Sequence, residues 1–274
     1  MTENQTDTNN RRSLWFPLFS LLILFCAANM LLGTAAQHLD GFGNAGFRQF
    51  LAYVGSFALT IGYALAIRRP WGLLMPSFRP EKWKLHGPFI LVGVILLFAT
   101  GILLAPITDR MPDTYTRMLD DYLRGGLWPI LTAAVAAPLL EELLFRGIIQ
   151  KNLVARIGPG AGILIGAAVF GAIHFIPQQM IYAGCVGLIL GCIYHFTGSL
   201  GSTVAIHFIN NGIAILAGLV PGADGTGIER RILGGGEGPV WYTAYALSLA
   251  LAAAAVLYAV RRIRRERADS ARRD

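Results

Sequence analysis

Three short stretches of the chain hold side chains that could hydrolyse a bond. AAPLLEELLFRG, residues 136–147, sets Glu141, Glu142 and Arg146 in an otherwise apolar run. AAVFGAIHFI, residues 167–176, carries Phe170 and His174 at a spacing of four. STVAIHFINNGIAIL, residues 202–216, carries His207 and Asn211 at the same spacing. One carboxylate and two imidazoles, here Glu141, His174 and His207, are the ligand set of a hydrolytic zinc site that keeps a position open for water. Zinc would bring the pKa of that water to about 7 and polarise a carbonyl. The same groups support a metal-free route, in which a desolvated glutamate acts as general base on water held by His174. His207 and Asn211 would then donate hydrogen bonds to the tetrahedral oxyanion. Both routes give hydrolysis, most simply of a peptide bond. The chain has neither a GxSxG nucleophile motif nor an HExxH zinc helix.

These residues stand where they are expensive. A charge near the centre of a membrane helix costs about 2.5–3.5 kcal/mol on insertion scales, so such groups usually face a wet cavity and carry function. Of the sixteen acids, only Glu141 and Glu142 fall inside a predicted span. Glu142 and Arg146 are four apart and can pair along one helix face. Adjacent glutamates point about 100° apart, which lets Glu141 turn elsewhere. His38, His86 and His195 sit at span edges and read as interfacial.

The elements that must position these groups are membrane helices. Hydrophobic residues are 54% of the chain and charged ones 14%, against roughly 25% charged in soluble domains. Eight apolar stretches approach the ~20 residues a bilayer core requires: 14–36, 47–67, 86–106, 126–147, 160–176, 180–196, 200–220 and 240–260. With the N-terminus inside, 17 of the 23 Lys and Arg residues fall on the cytoplasmic side, as the positive-inside rule requires of an N-in, C-in protein. The fold class is thus all-α, a polytopic integral membrane protein of about eight helices. The apolar run after Arg11 and Arg12 exceeds the roughly 7–15 residues of a signal-peptide core, so it reads as an uncleaved first helix. Residues 1–12 form a polar tail, 13–260 the transmembrane domain with its catalytic core at 126–220, and 261–274 a basic cytoplasmic tail. That tail sits against anionic lipid rather than nucleic acid, and its last ten or so residues read as disordered. The 107–125 loop predicts a short amphipathic helix, and the glycine-rich 221–239 loop a flexible connection. Cys26, Cys185 and Cys192 lie within spans as small buried hydrophobes, without ligand spacing or a disulfide framework.

RIGPGAG should break the chain near Gly158, so that residues equidistant from it lie level on neighbouring helices. Glu142 and His174 are both sixteen residues from Gly158. His207 fits this scheme poorly: it falls about nine residues, or roughly 13 Å, from the level of His174. Strong tilt or an irregular segment near HFIPQQ is needed to bring the two histidines together.

The ordered set EExxxR, FxxxH and HxxxN resembles the CPBP family of intramembrane proteases, which includes the CaaX prenyl endopeptidases and bacterial proteins tied to bacteriocin processing and immunity. TGSLGSTVAIHFINN is similar to the segment leading into the family's third motif. The resemblance covers residues 137–215. It implies that Glu141 activates water with His174, that His207 and Asn211 complete the site, and that Glu142 and Arg146 support it. Members are commonly labelled metalloproteases, and a metal-free glutamate route has also been argued. The expectation is a multi-pass endopeptidase of a bacterial cytoplasmic membrane, acting on a membrane-associated peptide or protein, with zinc as an alternative cofactor. The rival is a non-catalytic immunity or scaffolding protein of the same family. A transporter would show internal repeats and broken helices in matching halves, and the sequence has no such repeat.

Overall fold

The structure is a computed structural model, which describes residues 15–39, 41–76, 83–112, 114–218 and 238–271. The N-terminal tail and most of the 221–239 loop therefore lie outside the described residues. Every regular element among those residues is helical. We number them α1 (Trp15–His38), α2 (Ala45–Ile67), α3 (Trp83–Thr108), α4 (Thr114–Arg124), α5 (Leu127–Ile157), α6 (Pro159–Ala172), α7 (Pro177–Thr197), α8 (Leu200–Gly218) and α9 (Pro239–Ala271). The amphipathic helix predicted in the 107–125 loop is α4.

Seven of these helices are long and apolar enough to cross a membrane: α1, α2, α3, α5, α7, α8 and α9. The sequence predicts an eighth at 160–176, and the difference has a local cause. α6 is only 14 residues long, about 21 Å at 1.5 Å per residue, against a hydrocarbon core of about 30 Å. It stops at Ala172 because the chain must turn before Pro177, which opens α7 at its N-terminal end. Ile176, ahead of the proline, takes the extended backbone that X-Pro steps favour (φ −89°, ψ 121°). Large apolar side chains such as Ile23, Met30 and Leu31 on α1, and Leu249 and Leu251 on α9, are exposed. Such surfaces suit lipid, where helices satisfy their own backbone groups.

The chain divides into two compact units, Met1–Phe78 with Asp121–Gly166, and Arg79–Asp120 with Ala167–Asp274. In the first, α1 pairs with α2 and both meet α5. The Phe25 ring stands edge-on to Phe57 of α2 at 4.8 Å and to Phe145 of α5 at 5.8 Å. Leu21 and Phe57 are fully buried there. Gly158 (φ 84°) closes α5, a conformation glycine adopts without steric cost. Past it, α6 doubles back: a Cβ on Gly162 would lie 2.6 Å from the Val154 nitrogen, and one on Gly166 3.5 Å from Gln150 Cβ. Residues four and eight positions either side of Gly158 are thus level, as the hairpin argument requires within this unit. Asn152 ties the segment after α2 to α5. It accepts from Leu74 N–H and donates to the Leu74 carbonyl, both at 2.8 Å.

The second unit packs α7, α8 and α9 around α3. Gly93 permits the closest approach, since a Cβ there would fall 2.6 Å from Ile206 of α8 and 2.8 Å from Ile193 of α7. The end of α6 rests on α7 through Gly171, where a Cβ would meet the Met180 carbonyl at 2.6 Å. Trp241 of α9 is buried against Ile102 and Ala105. α9 continues through Arg261, Arg262, Arg264 and Arg265 to Ala271, where the sequence suggests a disordered end. Ala, Arg and Glu are strong helix formers, which suits continuation of a helix already begun. Cys26 also departs from expectation: it is exposed, while Cys185 and Cys192 are half-buried.

Candidate active site

In the first unit the acidic pair lies where α5 leaves regular α geometry. Thr132–Ala136 and Glu142–Gln150 are π-helical, and the α segment Ala137–Glu141 lies between them. Pro138 contributes to this irregularity, since it has no N–H for the helical ladder. π segments within α-helices are rare and frequent at functional sites. Glu142 and Arg146 are both buried, and Arg146 Nε lies 3.2 Å from Glu142 Oε2. The charge of Glu142 is therefore met within its own helix. Glu141 is also buried and turns to another neighbour, accepting from the Tyr53 hydroxyl of α2 at 2.7 Å through Oε1. The Tyr53 ring packs against Phe57 at 5.0 Å, so the phenol is held at its body as well as its tip.

The second unit holds the other three predicted groups. α6 ends at Ala172, and His174 sits in the turn after it rather than inside a span. Phe175 follows at φ 58°, in the left-handed region that non-glycine residues seldom occupy. This is the irregular segment that the depth argument requires near HFIPQQ. His174 Nδ1 lies 2.7 Å from the Phe170 carbonyl oxygen. A carbonyl can only accept, so Nδ1 carries a proton and donates it to this bond.

Phe170 also unites the two histidines. Its ring stands edge-on to His174 at 5.1 Å and to His207 of α8 at 6.1 Å. Phe170 and His207 are both buried, and His174 is half-buried. His207 thus meets α6 at Phe170, ahead of the non-helical turn at 173–176 that carries His174. α8 is itself set by a tight connection, with Gly198 at φ 65° closing α7 and Ser199 Oγ accepting the Ser202 N–H at 2.9 Å. Asn211 lies on α8 one turn beyond His207, and its Oδ1 accepts from Asn210 Nδ2 at 3.2 Å. Asn210 Oδ1 in turn accepts from Tyr182 of α7 at 2.6 Å.

Motif reading misses Tyr53, Tyr182 and Asn210, which hydrogen-bond to predicted site residues or to their neighbours. All three are neutral, so charge in a span does not flag them. The available signal was the polar tip that a tyrosine within a helix must satisfy. Of the histidines read as interfacial, His38 is exposed and His195 half-buried, but His86 is buried. Among the described residues, no three His, Cys, Asp or Glu side chains are grouped so that they could hold a metal ion.

Residues 123–213 match the family model for type II CAAX prenyl endopeptidase Rce1-like proteins. Neither a curated protein nor a solved structure gives a match. The matched segment contains all three motifs, together with Tyr182 and Asn210, whereas Tyr53 lies outside it. On that segment, the chain resembles the CPBP/CAAX family of intramembrane proteases.

Proposed function

We propose that this multi-pass membrane protein is an intramembrane endopeptidase, acting on a membrane-associated peptide or protein with Glu141 as general base. The observation that carries the reading is that two adjacent buried glutamates engage different elements. Glu142 pairs with Arg146 of its own helix, and Glu141 accepts from the Tyr53 hydroxyl of α2. An acid needed only for packing gains nothing from burial in that form.

The reaction follows from the groups. Glu141 takes a proton from water as the water oxygen attacks the scissile carbonyl carbon. With His174 neutral, its Nε2 accepts the second water proton as a hydrogen bond and orients the nucleophile. His207 and Asn211 donate to the oxygen that becomes negative in the tetrahedral intermediate. When the intermediate collapses, the C–N bond breaks and the proton on Glu141 passes to the leaving nitrogen. The products are a carboxylic acid and an amine, and the acid then gives up its proton to solvent or to the amine. Glu142 and Arg146 fix the local helix and field around the base. The bacterial cytoplasmic membrane is the proposed location, with N- and C-termini inside.

The test is cleavage by purified protein in detergent of internally quenched peptides, including a farnesylated peptide ending in a CaaX sequence. Wild type should cleave at least one, and Glu141→Ala and His174→Ala should each lose about 10²-fold or more in kcat. A strong chelator should leave the rate unchanged. Sensitivity to chelation would move the reading to the zinc route. Cleavage that survives both substitutions would overturn the assigned site, and a biological role that survives Glu141→Ala would favour an immunity or scaffolding protein.

A further inference from the structure

Asparagine is ambiguous as an oxyanion donor, because its amide can present either oxygen or NH₂. Only the NH₂ end stabilises developing negative charge. The neighbours of Asn211 bear on this choice. Asn210 Nδ2 donates to Asn211 Oδ1 at 3.2 Å, and the Tyr182 hydroxyl donates to Asn210 Oδ1 at 2.6 Å. A hydroxyl donating at 2.6 Å has an ordinary O–H···O length. Tyr182 therefore faces the oxygen of Asn210, which leaves the Asn210 NH₂ to face Asn211. That in turn draws the oxygen of Asn211 toward Asn210 and turns its NH₂ the other way. All three side chains are half-buried, where such a chain of dipoles is stronger than in water.

We infer that Tyr182 and Asn210 are positioning residues, forming a polar relay between α7 and α8 that sets the amide of Asn211 with its NH₂ toward substrate. This deepens the proposed function and rests on its assignment of Asn211 as an oxyanion donor. The relay explains why two asparagines stand side by side: the second acts, and the first fixes which end of it acts.

The test compares Asn210→Asp with Asn210→Ala, Tyr182→Phe and Glu141→Gln, using the farnesylated quenched peptide and following melting temperature in detergent. Aspartate keeps the size of Asn210 but puts an acceptor opposite Asn211 Oδ1, which favours the flipped amide. Asn210→Ala removes the partner without forcing a flip. The expected order of kcat is wild type, then Tyr182→Phe and Asn210→Ala down about tenfold, then Asn210→Asp down on the order of 10²-fold. KM should stay within about twofold, because only transition-state binding is lost.

Equal kcat in Asn210→Asp and wild type, with Glu141→Gln inactive, would overturn the relay and leave the protease reading standing. Losses that follow melting temperature, with Asn210→Ala at or below Asn210→Asp, would also overturn it by showing a structural role. Full activity in Glu141→Gln, or none in the wild type, would overturn the catalytic reading and this inference with it.

Discussion

Arg146 Nε lies 3.2 Å from Glu142 Oε2, with both side chains buried on one turn of α5. A buried ion pair adds little net stability, because desolvation cancels much of the attraction, but stranding one partner is costly. Arg146→Met should therefore destabilise the protein by about 3–5 kcal/mol. The double variant Glu142→Leu with Arg146→Met should recover most of that loss. Thermal unfolding in detergent reads both, and a double variant no better than the single would show that the charges are needed for themselves.

Tyr53 makes a separable contribution. Tyr53→Phe keeps the ring against Phe57 and removes the hydroxyl that Glu141 accepts from. A hydrogen bond to a charged group contributes about 1.5–3 kcal/mol. If the bond holds the base in its working orientation, kcat should fall roughly tenfold or more, with little change in KM. An unchanged kcat beside an inactive Glu141→Gln would confine Tyr53 to packing.

Phe170 supports both imidazoles with one ring. Phe170→Ala should cost about 3–5 kcal/mol as a buried aromatic truncation. The more informative change is Phe170→Leu, which fills more of the space but offers no ring edge or face to His174 or His207. Its kcat should drop on the order of 10–10²-fold through misplacement of the two rings. Far-ultraviolet circular dichroism and melting temperature would separate that effect from unfolding.

The α5–α6 hairpin has its own sensitive point. A Cβ at Gly162 would lie 2.6 Å from the Val154 nitrogen and 2.7 Å from its Cα, and backbone atoms cannot yield as a side-chain tip can. Gly162→Val should destabilise by about 3 kcal/mol or more. Gly160→Val, at a position with open space, should be far milder, and equal melting temperatures for the two would refute the close packing.

Most of the local geometry is legible in residue spacing, because a helix converts a separation of four into contact. That holds for Glu142 with Arg146, while Phe170 and His174 meet with His174 already in the turn after α6. The hairpin symmetry about Gly158 is legible as well, down to Gly162 opposite Val154 and Gly166 opposite Gln150. The contact of Phe170 with His207 is not, since the two lie on different helices 37 residues apart in sequence. Hydropathy likewise counts α6 as a span, because it registers apolar character and not the place where Pro177 forces the chain to bend. Tyr53 and Glu141 are 88 residues apart, and Tyr182 and Asn210 are 28 apart. Such pairs become visible only when the helices are placed side by side. The exposure of Cys26 and the burial of His86 have the same cause: a span does not announce which of its faces meets protein.

The π-helical run Glu142–Gln150 joins two anchored ends. Above it Glu141 is bound to Tyr53, and below it Asn152 is clamped to Leu74. A π turn holds more residues than an α turn, so the run stores extra chain between these anchors. Removing one residue at Leu143 or Leu144 would take up stored chain and let the ladder return toward α spacing, whereas removing more than is stored would rotate everything beyond it relative to Glu141. The two anchors could not then both engage. This stretch of α5 thus functions as a ruler, and its length constrains the protein as firmly as any side chain it carries.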